Sequence, residues 1–442
     1  MQGGVVDTFE RLESEVRIYC RTFPAVFTSA RGARIAAEDG REYVDFWAGA
    51  GTLNYGHNNP RLKRRLVEYL EGDGLTHSLD LASTAKRELL ERFERIVLAP
   101  RGLRYKVQFP GPTGTNAVEA ALKLARKATG RQTVLYFTNG YHGLTLGALA
   151  VTGSSAKRAA AGVPLACTQP MPFEGFLAGG QDTIGYLRAF LEGPGSGLDR
   201  PAAAIVETVQ AEGGVHVAST GWLRRLAGLL AEHGVLLIVD DIQVGCGRTG
   251  AFFSFEEAGI QPDLVCLSKA ISGFGLPMSL VLIRPELDCW LPGEHTGTFR
   301  GHNLAFVTAS EALGWWEDDG LSRAVRAKGE RVRWRLRSIA ERHPRLGLTV
   351  RGRGLIQGLV FPAGREAIAG PSAAQRVSRL AFERGLIVET SGPRDEVVKV
   401  LPPLLIDDGD LETGLEILEQ SVDALDEEPA AAPAAELSAA RN

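Results

Sequence analysis

The sequence contains few cysteines and no long apolar run. Its five cysteines among 442 residues are scattered, and no two form a C-x-x-C pair. Neither a disulfide framework nor a zinc ribbon is therefore expected. Apolar runs such as VLLIV end at acidic residues after a few positions, far too short to span a membrane. The opening MQGGVVDTFERLESEVRIYC alternates charges and lacks a secretory apolar region, so we expect a reduced, cytoplasmic protein without a membrane partner.

An excess of charge of one sign is also missing. The formal net charge is -4, from 49 basic and 53 acidic residues, which gives no electrostatic reason to expect a nucleic-acid partner. The eight histidines show no HExxH motif or other paired ligand spacing, so no metal site is predicted. No G-x-S-x-G motif is present for a serine nucleophile. The expected partners are therefore small molecules.

The chain is long enough for two or three domains. From Val107 to Pro285, β-branched runs (YKVQF, TVLYF, AAIVET, VLLIVD, LVCLS, SLVLI) alternate with amphipathic stretches, which predicts a doubly wound, mostly parallel α/β domain. NAVEAALKLARKATG has helical periodicity, with Asn116 as its N-cap and Glu119 three residues later. A smaller α/β segment follows Trp315, and the Ala- and Pro-rich end is predicted to be a disordered tail.

Two of the predicted strands end at ionisable residues, where ligands gather in sheets of this kind. VLLIVD ends at Asp240, and LVCLS is followed directly by Lys269. This pair fits pyridoxal-phosphate (PLP) chemistry, in which a lysine forms an imine with the cofactor and a carboxylate keeps the pyridine nitrogen protonated. Loss of solvation lowers the pKa of such a lysine and frees its amine. An isolated Lys or Asp at a strand end is more often structural, so the assignment depends on a phosphate loop upstream.

That loop is FPGPTGTNAVEAAL, which joins a strand to a helix start. Backbone N–H groups at a helix N-terminus bind phosphate, Gly114 allows a close approach, and Thr115 adds a hydroxyl. No Gly-Lys-Ser/Thr follows, so it is not a Walker A loop. Tyr141 and His142 follow another strand, where an aromatic ring can stack on a flat cofactor, although this pair alone would indicate core residues.

A second glycine pattern points to a different cofactor. Gly245, Gly247 and Gly250 spell G-x-G-x-x-G after a strand, the fingerprint of a dinucleotide site. The fingerprint requires a helix directly after it, and AFFSFEEAGI does not look like one. A nicotinamide-dependent oxidoreductase is therefore kept only as a remote alternative.

As a set, the motifs resemble those of the class III (ω-amino acid) aminotransferases, a family of PLP enzymes of fold type I. Over nearly the whole chain the strings follow the family's order: DFWAGAGTLNYGHNNP, PTGTNAVEAALKLAR, YHG, ETVQAEGG, VDDIQVGCGRTG, LSKAISG and GTFRGHNLA. The resemblance implies a large PLP-binding domain with a mostly parallel doubly wound sheet over residues 51–314. A smaller α/β domain would combine the N-terminal segment, 1–50, with the C-terminal segment, 315–425, leaving 426–442 as the tail.

The resemblance also implies roles for individual residues. Lys269 would be the Schiff-base lysine and move the substrate proton, while Asp240 would pair with the pyridine nitrogen. Gln243 would reach the ring hydroxyl. The other cofactor contacts would be Gly114 and Thr115 at the phosphate, Tyr141 and His142 at the ring, and Glu207 nearby. Thr298 would reach the phosphate of a neighbouring subunit, which implies a homodimer with shared sites.

Within the family, the resemblance is closest to the branch that forms L-2,4-diaminobutyrate for ectoine biosynthesis. It implies transfer of an amino group from L-glutamate to L-aspartate 4-semialdehyde, with 2-oxoglutarate as the other product. The strings that carry it extend beyond the general PLP motifs, among them FERLESEVRIYCRTFPAVF, FPGPTGTNAVEAALKLAR and VDDIQVGCGRTGAFFSFEEAGI. The alternative is a related class III enzyme that acts on another ω-amino or diamino acid.

Residues near the substrate depart from the wider family pattern. Leu144 replaces an arginine that many relatives use for a distal carboxylate, so Arg300 becomes the candidate carboxylate partner. Glu212 and Lys399 stand where relatives pair a glutamate with an arginine as a switch between two substrates. Five further positions depart from the family pattern: Ser78, Ala211, His295, Thr296 and His302. These differences indicate either neutral drift or a paralogue with another amino acceptor.

Overall fold

The computed structural model describes residues 7–362 and 371–427 as a series of strands and helices. The strands are β1 (Phe27–Arg31), β2 (Arg34–Ala37), β3 (Glu42–Asp45), β4 (Lys106–Gln108), β5 (Val134–Phe137), β6 (Thr168–Met171), β7 (Ala203–Val206), β8 (Val209–Gln210), β9 (His216–Val217), β10 (Leu236–Asp240), β11 (Leu264–Leu267), β12 (Leu280–Ile283), β13 (Thr349–Arg353), β14 (Ile356–Val360), β15 (Leu386–Ile387), β16 (Glu389–Ser391) and β17 (Val397–Val400). The α-helices are α1 (Asp7–Leu12), α2 (Tyr19–Thr22), α3 (Ala48–Gly51), α4 (Pro60–Glu71), α5 (Thr84–Phe93), α6 (Gly114–Thr129), α7 (Leu146–Ala150), α8 (Ser155–Arg158), α9 (Thr183–Glu192), α10 (Thr220–Glu232), α11 (Asn303–Ala312), α12 (Gly320–Arg342), α13 (Ala373–Glu383) and α14 (Asp408–Glu427).

The middle of the chain forms a seven-stranded sheet in the order β4-β12-β11-β10-β7-β5-β6. The pairs from β11 to β6 are parallel, and β12 is antiparallel to both of its neighbours. All six strands predicted between Val107 and Pro285 belong to this sheet. The predicted doubly wound, mostly parallel sheet is confirmed.

Both faces of this sheet are buried, which explains why its strands read as nearly continuous apolar runs. Leu237 and Val239 of β10 point into the largest apolar cluster on one face. Ile238, between them, points into a second cluster that it shares with Val118 and Leu122 of α6. The helix that begins at the phosphate loop is therefore packed directly on the central sheet.

Two smaller sheets are built from the ends of the chain. β1, β2 and β3 are antiparallel neighbours, and β15, from far along the chain, pairs in parallel with β3. β13, β14, β17 and β16 form a separate antiparallel sheet. A smaller α/β unit that combines N- and C-terminal segments was predicted, and this pairing agrees with it. The boundaries at residues 50 and 314 stay predictions.

Helix α6 begins earlier than the sequence pattern suggested. Its N-cap is Thr113, so Asn116 is the third helical residue and the prediction that it caps the helix was wrong. The Asn116 side chain accepts hydrogen bonds from the Thr113 N–H at 3.3 Å and from its hydroxyl at 2.8 Å. The Thr-x-x-Asn arrangement acts as a capping box, which moves the helix start into the glycine loop.

The last helix, α14, ends at Glu427. It includes the start of the predicted tail, 426–442, and the remainder of that stretch lies outside the described residues. Within residues 7–362 and 371–427, no helix combines the length and the apolar composition that crossing a bilayer requires.

Candidate active site

Lys269 follows β11 in an unusual backbone conformation. Ser268 is extended, whereas Lys269 has a φ of 52°, in the left-handed region that non-glycine residues seldom adopt. Its Nζ donates to the Ala50 carbonyl at 3.0 Å. Burial lowers the pKa of Lys269, because the ammonium form loses its hydration. The site therefore holds a partly buried lysine whose amine loses its proton more readily than that of a free lysine.

Asp240 ends β10, the strand beside β11. Its Oδ2 lies 2.7 Å from His142 Nδ1, and its Oδ1 accepts the Ile242 N–H at 3.1 Å. Asp240 and His142 are only 4% and 3% exposed. The register places Asp240 opposite Cys266, three residues before Lys269, so the two predicted catalytic residues lie at the same edge of the sheet. His142 fixes the orientation of this carboxylate.

Gln243 connects the lysine to a second group of charges. Its Nε2 donates to the Ala50 carbonyl at 2.8 Å, the same oxygen that receives Lys269, and to Glu212 Oε1 at 3.1 Å. Ala50 has a φ of 55°, in a short segment of the N-terminal part of the chain. That segment closes the site with a backbone carbonyl, a contribution that side-chain motifs cannot reveal.

Beside Gln243 lies a buried group that we call the Lys399 triad, formed by Glu212, Lys399 and Glu389. Lys399 Nζ is 2.7 Å from Glu212 Oε1 and 3.0 Å from Glu389 Oε1. Burial acts to raise the pKa of Glu212, but the attraction of Lys399 and Lys269 outweighs it and brings that pKa to about 2. Burial opposes the charge on Lys399, yet its two carboxylate partners raise the pKa of Lys399 above its ordinary value.

Glu389 is the member of the triad that the sequence did not indicate. Its only signal is an acidic residue directly after the apolar run LIV. In the structure it begins β16 and pairs across the sheet with Lys399 of β17. An acid in such a strand is informative only when its cross-strand partner is known to be a buried cation.

Tyr141 and Glu207, two of the predicted cofactor residues, lie in contact through the backbone of the tyrosine. The Tyr141 N–H donates to Glu207 Oε1 at 2.8 Å. Burial, reinforced by the negative charge of Asp240, raises the pKa of Glu207 well above its ordinary value, because the charged form loses its hydration and lies near another carboxylate. The Lys157 ammonium covers the Tyr141 ring at 4.4 Å from the ring centroid, a cation–π contact at the mouth of the site.

The start of α6 is tightly packed against the segment that follows β10. A Cβ added at Gly114 would lie 3.1 Å from two carbon atoms of Ile242. Thr115 Oγ1 is 2.7 Å from Thr145 Oγ1, which in turn donates to the Glu119 carboxylate. The first-turn N–H groups and the positive end of the helix are of the kind that can bind an anion, and the predicted role of Gly114 and Thr115 at a phosphate stays a prediction.

Arg300 and Thr298 lie on the outer side of this loop. A Cβ added at Gly111 would lie 2.7 Å from Arg300 Nη1 and 2.8 Å from the side-chain oxygen of Asn116. Thr298 is exposed, and its carbonyl lies 3.0 Å from His77 Nε2. Arg300 is thus placed beside the helix start, and its role as a substrate-carboxylate partner stays a prediction.

The G-x-G-x-x-G segment serves packing and does not open a helix. After it, the first helical turn is a 3₁₀ segment at Glu256–Ala258. A Cβ added at Gly247 would lie 2.3 Å from a Trp316 ring carbon. Arg248, within the motif, is fully buried and donates to Asn54 Oδ1 at 2.6 Å and to the Leu355 carbonyl at 3.0 Å. This geometry does not support the nicotinamide alternative.

Several positions that depart from the family pattern are also packing residues. Ser78 is buried and its hydroxyl accepts the Asn303 Nδ2–H at 2.9 Å. Ala211 is fully buried in an apolar cluster. His302 lies at the N-cap of α11. By contrast, Leu144 is 54% exposed, so it leaves open space where an arginine was expected.

One group of potential metal ligands occurs in the described part of the chain, at Glu192, Glu232 and His233 on the surface. Arg188 pairs with both glutamates, at 2.6 Å and 2.9 Å. A guanidinium therefore already contacts both carboxylates, and the group is not assigned a metal.

Comparisons with known proteins agree with this geometry. The family model for class III aminotransferases matches residues 19–422. A diaminobutyrate–2-oxoglutarate transaminase of Nocardia farcinica is 59% identical over 420 residues, covering 95% of this chain and 94% of that protein. A protein of the same name from Halalkalibacterium halodurans is 54% identical, with 95% and 97% covered. The solved ornithine aminotransferase of Toxoplasma gondii superposes with a TM-score of 0.82 at 28% identity, covering 96% of this chain and 95% of that one. An S-selective transaminase from Arthrobacter sp. shares the fold, with a TM-score of 0.84 at 23% identity and coverage of 95% and 98%.

Proposed function

The chain belongs to the class III aminotransferase family, and on this premise we propose that it is a PLP-dependent diaminobutyrate–2-oxoglutarate transaminase. The reaction moves an amino group from L-glutamate to L-aspartate 4-semialdehyde and gives 2-oxoglutarate and L-2,4-diaminobutyrate. The observation that carries the proposal is the placement of Lys269 and Asp240 at the ends of neighbouring strands, with Gln243 and Glu212 beside them. The names of relatives at 59% and 54% identity support the substrate pair.

The residues present fit PLP. Lys269 offers a partly buried amine with a lowered pKa, and Asp240 offers a carboxylate held by His142. The N–H groups at the start of α6 fit the phosphate, and the turn is packed so closely that a Cβ at Gly114 would lie 3.1 Å from Ile242. When bound, the cofactor supplies a protonated ring that accepts electrons from the substrate carbon.

The protein's own groups then orient the substrate and move its proton. Lys269 Nζ, freed as a neutral amine, removes the proton from glutamate Cα and delivers it again on the other side of the transfer. Its lowered pKa suits this work, because a permanently charged ammonium cannot accept a proton. In the second half of the reaction, the same amine delivers a proton to the terminal carbon that comes from the semialdehyde.

We extend the proposal to assembly, location and pathway. Two chains form a homodimer in which Thr298 of one reaches the phosphate of the other, which would explain why Thr298 is exposed in one chain. The protein works in the cytoplasm, and its product enters ectoine biosynthesis, as the resemblance of the phosphate-loop string FPGPTGTNAVEAALKLAR implies. The alternative with a specific observation behind it is another ω-amino or diamino acid, because Leu144 stands where many relatives carry an arginine for a distal carboxylate.

The test is a spectral half-reaction. L-2,4-diaminobutyrate is added to the purified yellow enzyme, and loss of the visible absorbance is followed in a stopped-flow instrument. We expect rapid bleaching, with 4-aminobutyrate and ornithine at least about 10-fold slower per unit concentration. Bleaching by glutamate but not by diaminobutyrate would discard the substrate and keep the aminotransferase. A colourless protein that binds a nicotinamide cofactor would discard both.

Replacing Lys269 tests the catalytic assignment. We expect Lys269→Ala to lower the rate of overall transfer by about 1,000-fold or more, because it removes both the covalent anchor and the proton carrier. The rate is measured as 2-oxoglutarate formation with both substrates saturating. Turnover of Lys269→Ala at the wild-type rate is the result that would reject Lys269 as the imine lysine.

A further inference from the structure

The members of the Lys399 triad differ in how far they are exposed. The side chain of Lys399 is 0% exposed, that of Glu389 is 7% exposed, and that of Glu212 is 21% exposed. A molecule that enters the site therefore meets a carboxylate before it can meet the ammonium behind it. The accessible face of the triad is anionic, although the triad contains a lysine.

The hydrogen bonds of Glu212 leave part of its carboxylate available. Among the described residues, Lys399 and Gln243 both approach the same oxygen, Oε1, at 2.7 Å and 3.1 Å. Two donors on one oxygen fix the direction of the carboxylate and leave the lone pairs of Oε2 for another donor. An ammonium group is the strongest such donor for a carboxylate of lowered pKa.

Glu389 explains why Lys399 stays behind Glu212. The two residues are directly opposite each other on β16 and β17, so the sheet itself holds Glu389 against the lysine. A single glutamate–cation pair would be neutral, and the cation could turn to a substrate carboxylate when the glutamate moved. Two carboxylates and one ammonium leave a net negative charge, and Lys399 keeps a partner whatever Glu212 does.

We propose that Glu389 is a positioning residue for substrate specificity: it retains Lys399 and thereby makes Glu212 a fixed receptor for the second ammonium group of a diamino substrate. This inference rests on the proposed function. L-2,4-Diaminobutyrate and L-aspartate 4-semialdehyde both keep an α-ammonium group while their terminal carbon reacts. The triad then selects for that group and does not act as a gate that opens to expose a cation.

The experiment compares two amino donors that differ only in that group. Half-reactions of the holoenzyme with L-2,4-diaminobutyrate and with 4-aminobutyrate are followed by stopped-flow absorbance, which gives a dissociation constant and a limiting rate for each. Burial raises the pKa of Glu389 to about 7 against the attraction of Lys399, so the work is done near about pH 8.5, where its carboxylate is ionised. The readout is the selectivity ratio, diaminobutyrate over 4-aminobutyrate, of limiting rate divided by dissociation constant.

For Glu389→Gln we expect the selectivity ratio to fall about 10-fold or more, mainly through a weaker dissociation constant for diaminobutyrate. Glu389→Asp, which restores the charge, should recover part of the ratio. Glu212→Gln should lower the ratio as well, and it keeps the test open if Glu389→Gln does not fold. The matched control is Glu383→Gln, at the exposed end of α13, which should leave the ratio unchanged.

The outcomes separate the inference from the proposed function. A folded Glu389→Gln with the wild-type ratio overturns the inference and leaves the diaminobutyrate assignment intact, as does a wild-type ratio in Glu212→Gln. Equal loss with both donors also overturns it, because a merely structural role would weaken both. A wild-type enzyme that reacts with glutamate but not with diaminobutyrate rejects the proposed substrate, and the inference with it.

Discussion

Glu207 shows how burial of one residue connects the site to stability. Its pKa is raised well above the ordinary value, mainly by burial and then by the charge of Asp240. Below the pKa of an unfolded glutamate, both states hold the proton and the group is neutral for stability. Above it, the unfolded chain releases the proton and the folded protein keeps it, so stability falls as pH rises toward the folded pKa.

We therefore expect Glu207→Gln to be more stable than the wild type, with a difference that grows as pH rises above the ordinary pKa of a glutamate, by at most about 1.4 kcal/mol per pH unit. The glutamine keeps an acceptor for the Tyr141 N–H, whose bond to Glu207 is 2.8 Å long. Urea unfolding at each pH measures the difference. An exposed control, Glu383→Gln, should show no such trend, and a flat difference for Glu207→Gln would contradict the raised pKa.

For single residues, the sequence was sufficient where the role of a residue depends only on the strand that it ends or follows. Lys269 and Asp240 follow apolar runs, so their position at a sheet edge could be inferred before any fold was known. The role of Glu389 could not be inferred in this way, because it depends on the pairing of Glu389 with Lys399 across two strands, which no local sequence pattern specifies. The Ala50 carbonyl was missed for a related reason, since every residue carries one.

Among the elements, α6 is the one that we propose to hold the phosphate, and its first turn depends on the bonds between Thr113 and Asn116. We expect Asn116→Ala to lower the free energy of unfolding by about 1 kcal/mol and also to weaken retention of PLP. Asn59→Ala removes a comparable cap from α4, where the side chain accepts the Arg61 N–H at 3.1 Å. Asn59→Ala should lower the free energy of unfolding by a similar amount and leave PLP retention unchanged.

Dialysis against buffer without cofactor, followed by absorbance, measures PLP retention in both variants, and urea unfolding measures their stability. Equal retention in Asn116→Ala and Asn59→Ala would show that the first turn of α6 does not hold the phosphate.

The strand of the seven-stranded sheet that sequence reasoning missed is β6, Thr168–Met171. Its sequence is TQPM, in which Gln169 and Pro170 interrupt any apolar pattern. Proline is tolerated there because β6 lies at the edge of the seven-stranded sheet, where one side of the strand needs no ladder bonds. Central strands can be predicted because they are buried on both faces, whereas an edge strand is specified by its single neighbour, here β5.

At the scale of the whole molecule, Arg248 joins segments that are distant in the sequence. It is fully buried, and its guanidinium donates to Asn54 Oδ1, to the Leu355 carbonyl and to the Pro402 carbonyl. Burial lowers the pKa of Arg248 to about 9, which shows how far the position is removed from water. One side chain thus ties the N-terminal part, the central domain and the chain after Lys399, and so holds together the three segments that contribute to the site.

An apolar surface beside the phosphate loop remains uncovered in one chain. Phe299 is 64% exposed, Leu79 is 45% exposed and Leu81 is 62% exposed. The two stretches touch, because the His77 ring lies 5.5 Å from that of Phe299. A continuous exposed apolar patch of this kind usually marks an interface. It adjoins Thr298, the residue predicted to complete the neighbouring site.

We expect Phe299→Asp to shift the protein from dimer toward monomer, because it places a charge in an interface that would otherwise exclude water. If the sites are shared, the monomer also loses PLP and transfer activity, although Lys269 and Asp240 are untouched. Sedimentation at several concentrations measures assembly, and absorbance measures PLP in each fraction. Trp334→Asp is the matched control, since Trp334 is 66% exposed on α12, far along the chain from this patch. A Phe299→Asp variant that stays dimeric would place the interface elsewhere, and a monomer that retains PLP and full activity would show that each chain builds its site alone.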